Sequence, residues 1–306
     1  MNKNIAATVV GSVNMDMVIN APRRPEIGES IIGGGFFISP GGKGANQAVA
    51  CARMGAKTRF VGMVGRDVFG ENLRESLKSF GVITEHLMDS DTNTGVAMIT
   101  IVDGDNFIVT DAGSNAALLP DTIAGCMDMI AGSDAVLLQF EIPFETNRAI
   151  IEHCVGKTTI FLNPAPAAVV DLSVLNGVDF FTPNETEAPF YTGNKINSDA
   201  DAFTSLDALR ELGVRYPMVT LGENGTAYFN GEKNIRRKAY KVEAVDTTAA
   251  GDTFAGALAY AYASGGSVGD AVDFASAAAA LSVTRRGAQA SIPSRDEAIE
   301  LLATGR

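Results

Sequence analysis

The sequence predicts an α/β protein: a mainly parallel sheet, helices on both of its faces and a small additional sheet. Three observations lead to this prediction. Short apolar segments alternate with helix-like segments along most of the 306 residues, two regions interrupt the alternation, and two glycine-rich turns directly precede helix-like segments. Strands of a parallel sheet are short and apolar because helices cover them on both faces.

The apolar segments are the predicted buried strands. They are residues 5–13, 59–64, 135–140, 159–162, 178–181 and 218–221. The predicted helices include residues 45–54, 72–80, 249–263 and 268–283. Gly55 and Gly81 directly follow the first two helices, where glycine commonly ends a helix. At ~150 residues per domain the length allows one large α/β domain or two smaller ones.

The two interrupting regions, residues 17–38 and 94–110, lack helical periodicity. The second contains Asp-Gly-Asp-Asn at 103–106, a sequence typical of a hairpin turn. Both regions are therefore predicted to be strands of a small accessory sheet. Such a sheet at the mouth of an α/β core suits a lid that excludes water from a reaction. An added hairpin without a role is the alternative, and the pattern alone favours neither.

Composition excludes several classes of function. The formal net charge of −12 argues against nucleic acid or an anionic membrane as the main partner, but not against a nucleotide held by backbone amides. Two histidines and three scattered cysteines provide neither a zinc motif nor a disulfide framework, so we expect a cytoplasmic protein. No apolar stretch reaches the ~18 residues expected of a membrane helix.

Three common sequence signatures of nucleotide-binding or hydrolytic sites are not met. No GxGxxG follows a predicted strand, so a dinucleotide fingerprint is missing. Gly42-Lys43 is followed by glycine, whereas a P-loop requires Ser or Thr there. The GxSxG match at 265–269 lies between two predicted helices and after both histidines, unlike the nucleophile turn of an α/β-hydrolase.

The segment 246–254 is the most informative one. Ala249, Ala250 and Gly251 have little or no side chain, so their amides can approach a ligand at the start of a long helix. A helix N-terminus favours an anion such as a phosphoryl group in transfer. Asp252 either stabilises this helix start or acts as a base facing an acceptor hydroxyl, and the segment alone leaves both open.

Three further motifs are individually weak. Residues 41–47 form a glycine-rich turn before a helix, which fits an anion or polyol site but also an ordinary helix start. Asn14 and Asp16 follow the first predicted strand and offer oxygen atoms that suit a polyol. Asn184 and Glu187 have the spacing of a helix capping box.

Taken together, the motifs resemble the ribokinase family of sugar kinases, the PfkB-type carbohydrate kinases. GSVNMD, GGKGANQAVA, TPNETEA, VDTTAAGDTF and TRRGAQ occur in the family's order and approximate spacing over residues 10–297. The resemblance implies one doubly wound α/β domain with a β-sheet lid and a homodimer joined through the lids. It also implies transfer of the γ-phosphoryl group of ATP to O5 of D-ribose, with Mg²⁺ on the nucleotide and K⁺ as activator.

The resemblance also implies roles for individual residues. Asp252 corresponds to the base, and the anion hole corresponds to Ala249, Ala250, Gly251 and Asp252. The sugar contacts correspond to Asn14, Asp16, Gly42, Lys43, Asn46, Glu141 and Asp252. The nucleotide contacts correspond to Asn184, Thr220, Gly222, Glu223, Gly225, Gly251 and Ser276. Glu187 corresponds to the glutamate that orients magnesium through water, and the K⁺ loops correspond to Asp246, Thr248, Ser282, Arg285, Gly287 and Ser291.

Alternatives remain open at this point. Glu223 and Ser276 differ from the residues that relatives often carry beside the nucleotide, so the choice of phosphoryl donor is open. A kinase for 2-deoxyribose or another small furanose is the second candidate, because a few pocket side chains decide the acceptor. A sugar or nucleotide sensor without turnover is a third, against which the intact Asp252 segment argues.

Overall fold

The computed structural model describes residues 4–103 and 105–305. Within these residues the chain forms two β-sheets and ten α-helices. The strands are β1 (Ala6–Val10), β2 (Asn14–Asn20), β3 (Gly34–Gly41), β4 (Lys57–Gly65), β5 (Ile83–Ser90), β6 (Gly95–Val102), β7 (Asp105–Asp111), β8 (Ala135–Gln139), β9 (Thr159–Asn163), β10 (Phe180–Phe181), β11 (Tyr216–Thr220), β12 (Thr226–Phe229) and β13 (Asn234–Arg237). The helices are α1 (Lys43–Met54), α2 (Val68–Ser79), α3 (Pro120–Ile123), α4 (Met127–Ala131), α5 (Phe144–Cys154), α6 (Ala188–Thr192), α7 (Asp199–Glu211), α8 (Ala250–Ala263), α9 (Val268–Ser282) and α10 (Arg295–Thr304).

The larger sheet has nine strands in the order β13-β12-β11-β10-β9-β8-β1-β4-β5. The strands from β11 to β5 are parallel, and β12 and β13 extend one edge in antiparallel fashion. Successive side chains of a strand point to opposite faces, so each central strand contributes to two cores. On β1, Val9 belongs to one core and Val10 to the other. This arrangement confirms the predicted α/β class with helices on both faces.

The smaller sheet has four strands in the order β3-β2-β6-β7, with only β2 and β6 parallel. It is the accessory sheet predicted from residues 17–38 and 94–110, with different strand limits. β2 already begins at Asn14, and residues 21–33 between β2 and β3 lie outside the strands. Asn14 and Asp16 therefore belong to this sheet rather than to a turn after β1. The β6–β7 turn matches the predicted hairpin, although its Gly104 lies outside the described residues.

Close packing of α1 against α8 brings the two predicted glycine-rich turns together. Gly256 lies on α8 at the contact, and a Cβ atom there would be 2.5 Å from the Cβ of Ala50 and 2.9 Å from the carbonyl oxygen of Gln47. Without that atom the two backbones approach each other closely, so the beginnings of both helices reach one edge of the sheet. In the ranges that the structure describes, no helix has the length and apolarity needed to cross a membrane.

Candidate active site

A cleft of about 200 Å³ opens at the carboxyl ends of the parallel strands, where open α/β sheets bind their ligands. The strands contribute Asn163 at the end of β9 and Thr220 at the end of β11. The full lining is Lys43, Asn163, Ala165, Thr182, Asn184, Glu187, Thr220, Thr247, Ala249, Ala250, Gly251, Asp252 and Phe254. Residues from three predicted motifs, far apart in sequence, thus meet in one place.

The start of α8 faces this cleft. Ala249 precedes the helix in the left-handed conformation with φ 61° and ψ 12°, and its carbonyl accepts a hydrogen bond of 2.8 Å from the Thr253 amide. For a residue with a Cβ atom this conformation costs about 1 kcal/mol and persists only where the surroundings enforce it. A Cβ atom at Gly251 would meet nothing within 4 Å, so space is open above the helix start. The geometry suits an anion at the positive end of the helix dipole.

Asp252 lies in the first turn of α8 and is only 6% exposed. Its Oδ2 accepts a 3.0 Å hydrogen bond from Nδ2 of Asn46, and its Oδ1 accepts a 3.1 Å bond from Nε2 of Gln47. Burial raises the pKa of Asp252, while Lys43 and the two amides act in the opposite direction. The carboxylate is thus held by side chains of α1, which is not the arrangement of a helix-capping aspartate.

A second buried carboxylate, Asp16, lies on β2. Burial, followed by the neighbouring carboxylates of Glu141 and Asp252, raises the pKa of Asp16 to about 7, although Lys43 opposes the shift. Gly41 allows the close approach on the neighbouring strand, because a Cβ atom there would be 2.2 Å from Oδ2 of Asp16. Such a buried, poorly solvated carboxylate is typical of a functional site.

Asn14 is oriented by a residue outside the predicted motifs. Its Oδ1 accepts a 2.7 Å hydrogen bond from Nδ2 of Asn115, and Oδ1 of Asn115 accepts one of 2.9 Å from the Val13 amide. Asn115 lies in the short 3₁₀ segment Gly113–Ala117 and is 1% exposed. It therefore fixes both the backbone and the side chain at the start of β2.

Glu141 connects the first turn of the chain to the start of α1. Its Oε2 accepts a 2.5 Å bond from Oγ of Ser12 and a 3.1 Å bond from the amide of Lys43. Burial lowers the pKa of the Lys43 ammonium, but the carboxylates of Asp252 and Glu141 outweigh it and raise that pKa. Lys43 is thus the cation of a site that contains several carboxylates. Gly42 precedes α1 with φ 89°, and a Cβ atom there would be 2.7 Å from the Asn14 amide.

Asn184 and Glu187 form the predicted reciprocal pair before α6. Oε2 of Glu187 accepts a 2.9 Å bond from the Asn184 amide, and Oδ1 of Asn184 accepts a 2.8 Å bond from the Glu187 amide. Burial raises the pKa of Glu187, which lies in the cleft lining. Over residues 4–103 and 105–305, no cluster of three His, Cys, Asp or Glu residues could hold a metal ion by itself.

The predicted nucleotide-binding residues are distributed around the cleft. Asn184, Thr220 and Gly251 line it, and a β-bridge joins Asn184 to Thr220. The remaining ones lie outside that lining: Gly222, Glu223 and Gly225 in the turn after β11, and Ser276 on α9. The Ser276 hydroxyl is buried and has no hydrogen-bond partner among the described residues.

The predicted K⁺ loops lie together beside the start of α8. Oδ1 of Asp246 accepts bonds of 2.9 and 2.6 Å from the amide and hydroxyl of Thr248, and its Oδ2 accepts a 2.9 Å bond from the Gly287 amide. The Asp246 amide donates to the carbonyl of Val283, directly after α9. Burial opposes the hydrogen bonds from Thr248 and Gly287, which nevertheless lower the pKa of Asp246. Ser282 and Ser291 are buried nearby in the chain, and Arg285 pairs with Glu297.

Comparison with known proteins now decides the family. The sequence profile described as "pfkB family carbohydrate kinase" matches residues 5–295. The chain belongs to the pfkB family of carbohydrate kinases. It is 40% identical over 299 residues to a ribokinase of Bacillus subtilis, with 96% of this chain and 98% of the relative covered. It is 35% identical over 300 residues to a deoxyribokinase of Salmonella typhi, covering 96% and 97% of the two chains.

A solved structure of a relative has a similar fold. The structure of Arabidopsis thaliana ribokinase complexed with ribose and ATP matches with a TM-score of 0.92 and 32% identity, covering 98% of this chain and 99% of that one. This pfkB kinase therefore has the ribokinase-like fold, including the small separate sheet.

Several residues of this pfkB kinase site were not predicted from the sequence. Gln47 bonds to Asp252, Asn115 orients Asn14, and Ser12 bonds to Glu141. Gln47 directly follows the predicted sugar contact Asn46 in the GGKGANQAVA motif, so its place in that motif could have indicated a role. Asn115 carried none, because an isolated asparagine between a strand and a helix is an ordinary loop residue.

Proposed function

We propose that this carbohydrate kinase transfers the γ-phosphoryl group of ATP to O5 of D-ribose, yielding D-ribose 5-phosphate and ADP. The observation that carries the proposal is the position of Asp252. Its buried carboxylate lies at an open helix N-terminus, with Asn46 beside it and the Asp16 and Glu141 carboxylates close enough to influence one another. A sugar hydroxyl there meets a proton acceptor and an anion site at once.

In the proposed reaction the protein mainly positions the reactants and stabilises charge, because phosphoryl transfer passes through a loose transition state. The O5 oxygen attacks the γ-phosphorus, the bond from phosphorus to the β-bridging oxygen breaks, and ADP leaves. An aspartate with an ordinary pKa of ~3.9 cannot remove the hydroxyl proton in advance. Asp252 instead accepts that proton as the new P–O bond forms, while the Gly251 amide and the positive end of the α8 dipole stabilise the phosphoryl oxygens.

The sugar contacts proposed are the oxygen-rich side chains around Asp252. On β2, the Asp16 carboxylate accepts hydrogen bonds from ring hydroxyls and the Asn14 NH₂ group donates to them. Glu141 extends this polar surface. Gly42, Lys43 and Asn46 complete it from the start of α1. The fixed amide of Asn14 supports this assignment, since a preoriented group loses little freedom on binding.

The nucleotide is proposed to occupy the cleft between the start of α8 and the end of β11. Asn184 and Thr220 are expected to contact its phosphates. The nucleoside part is expected to contact the Ser276 hydroxyl and the turn that contains Gly222, Glu223 and Gly225. Magnesium would be held by the ATP phosphates, with Glu187 as the carboxylate proposed to act on it through water. The raised pKa of Glu187 fits a group that a nearby cation would stabilise in its charged form. Bound magnesium would supply neutralisation of phosphate charge.

Potassium is proposed to bind between the loops at 246–248 and 282–291, mainly through carbonyl oxygens. The hydrogen bonds from Thr248 and Gly287 to Asp246 hold both loops together, and the low pKa of Asp246 keeps a negative charge at the site. The loops lead directly into Ala249, so a bound cation would stabilise the strained start of α8.

The small sheet is proposed to act as a lid and as the contact of a homodimer. Met17, Ile38, Met98 and Val109 are in register across its four strands and therefore lie on one face, opposite to the face of Asp16. Met98 and Val109 are 50% and 71% exposed. A contiguous exposed apolar face of this kind marks a surface that is covered by a partner, here a second copy of the same sheet.

An acceptor panel tests the proposed function. D-ribose is expected to give the highest kcat/KM with ATP, because a buried polar site leaves its groups unpaired when a hydroxyl is missing. One relative is named a deoxyribokinase, which makes 2-deoxyribose the second candidate. Equal kcat/KM for ribose and 2-deoxyribose would overturn the assignment to ribose, and no phosphoryl transfer to any sugar would overturn the kinase.

A further inference from the structure

Gln47 gives the Asp252 carboxylate its second hydrogen bond. This residue follows Asn46 on α1 and is 1% exposed. Its Nε2 lies 3.1 Å from Oδ1 of Asp252 and 3.4 Å from Oδ1 of Asn163, while Asn46 donates to the other carboxylate oxygen at 3.0 Å. Each oxygen of Asp252 therefore has its own amide donor, and the plane of the carboxylate is fixed.

Gln47 is itself oriented by Gln139 at the end of β8. Nε2 of Gln139 donates to Oε1 of Gln47 at 2.7 Å, and the main-chain carbonyl of Gln139 accepts a 2.7 Å bond from Nδ2 of Asn147. A rotated Gln47 amide would place its oxygen against the Asp252 carboxylate and its NH₂ group against that of Gln139. Both contacts would be repulsive, so the Asp252 carboxylate and the Gln139 NH₂ group favour the same orientation of the Gln47 amide.

Helix packing brings Gln47 within reach of Asp252. The two residues lie on different helices, α1 and α8, which approach each other at Gly256. The main-chain oxygen of Gln47 would be 2.9 Å from a Cβ atom at that position, so any larger residue would push the helices apart. The distance between donor and carboxylate is thus set by two packed helices rather than by a loop.

We propose that Gln47, oriented by Gln139, is a positioning residue for Asp252 that holds the carboxylate in the plane required to accept the sugar proton. The inference rests on the proposed function, since it assumes Asp252 to be the proton acceptor. Other charged groups influence this carboxylate as well: Lys43 and Glu141 act on it directly, and Asp16 and Glu187 lie within electrostatic range. None of these constrains its rotation as a hydrogen bond to Oδ1 does.

The test is Gln47→Met, which keeps the length of the side chain and removes the amide. We expect kcat for ribose phosphorylation to fall about 10- to 100-fold, the usual effect of misplacing a reacting group. KM for ribose and for ATP is expected to change less than about threefold, because Gln47 contacts neither ligand in the proposed binding mode. A purely structural role would reduce the amount of folded enzyme without this division between kcat and KM.

Gln139→Met provides a second variant that leaves α1 intact. It is expected to lower kcat by a smaller factor than Gln47→Met does. Gln47 keeps the NH₂ group that donates to Asp252, but it loses the hydrogen bond from Gln139 that orients its amide. In the double variant kcat is expected to equal that of Gln47→Met alone, since both residues act through one hydrogen bond. Thr8→Val is the matched control: it removes a buried hydroxyl that bonds to Ser133 at 2.6 Å, and it should lower stability without changing kcat.

Four outcomes overturn the inference, and Asp252→Asn shows whether the proposed function fails with it. If Asp252→Asn loses kcat while folded Gln47→Met retains more than half, Gln47 does not position the base and the proposed function stands. If Asp252→Asn also retains its kcat, the proposed function fails and the inference fails with it. Additive losses in the double variant would likewise contradict a shared hydrogen bond. Should Gln47→Met not fold, an unchanged kcat in Gln139→Met overturns the inference.

Discussion

At the scale of single residues, the site concentrates carboxylates that a protein optimised for stability would avoid. Asp252 and Asp16 are both buried, and burial raises the pKa of each. Their negative charges are balanced mainly by Lys43 and by neutral amides such as that of Asn46. Burying a carboxylate lowers the stability of the folded chain, and carboxylates retained in spite of this are typical of sites where a bound ligand completes their hydrogen bonds.

Asp16→Asn tests how much stability the burial of this carboxylate costs. The pKa of Asp16 is about 7 in the folded chain and ~3.9 when unfolded, so the folded form holds the proton more strongly. The stability that this proton gives is present below about pH 4 and is lost as the pH rises through 7. We therefore expect Asp16→Asn to increase the free energy of unfolding by roughly 1–3 kcal/mol at pH 8, and by little at pH 4. Denaturant unfolding at both pH values measures it.

The same variant should weaken sugar binding, which separates stability from function. Removing a carboxylate that accepts ring hydroxyls is expected to raise KM for ribose at least tenfold, as loss of a charged hydrogen bond does. Asp171→Asn is the control, because hydrogen bonds from Ser173 lower the pKa of that exposed carboxylate. It should not stabilise the chain at pH 8. Equal effects of the two variants would contradict the assignment of a raised pKa to Asp16.

At the scale of elements, the sequence predicted those parts whose local pattern matches their burial. Helices α1, α8 and α9 and strands β8 and β9 lie within two residues of their predicted limits. Strands β5, β12 and β13 were not predicted. β5 mixes exposed and buried positions at the sheet edge, and β12 and β13 are four residues long and leave the alternation of strand and helix. Pairing with a neighbouring strand, which no local pattern contains, decides such elements.

The site shows the same division. Motifs with unusual local composition, such as the segment from Ala249 to Asp252, were predicted from the sequence and meet in the cleft. Asn115 and Gln139 were not, because their importance arises only from contacts across more than 90 residues with Asn14 and Gln47. The roles of the individual residues stay predictions until variants are measured.

Potassium dependence tests an element, the start of α8. A cation bound between the loops around Asp246 and Gly287 would hold Ala249 in its left-handed conformation. We expect K⁺ to raise kcat well above its value in Na⁺ or Tris, because the smaller or absent cation leaves the helix start less ordered. Kinetics at constant ionic strength measure this effect. Equal activity in all three buffers would show that no such site operates.

At the scale of the whole molecule, the small sheet carries Asp16 on one face and the exposed apolar side chains of Met98 and Val109 on the other. The larger sheet has no comparable problem, because helices cover both of its faces. This exposed apolar face is the surface proposed to bind a second copy of the chain. The single domain over residues 1–306 also stays a prediction.

Sedimentation tests the dimer. The chain is expected to be a dimer at micromolar concentration, and Met98→Lys with Val109→Lys should make it monomeric, because two charges on each apolar face would have to be desolvated. Val169→Lys is the control, since Val169 is 91% exposed and lies outside the small sheet. An unchanged dimer in the double variant, or a fully active wild-type monomer, would contradict the proposed contact.

The kcat of Asp252→Asn tests most directly whether Asp252 accepts the sugar proton at the start of α8. Asparagine keeps the size of the side chain and removes the proton acceptor. We expect kcat for ribose phosphorylation to fall ~10²–10⁴-fold, the usual contribution of a positioned base, while calorimetry still detects binding of ATP and ribose. A variant that binds both ligands and keeps more than about half of the wild-type kcat would contradict the account.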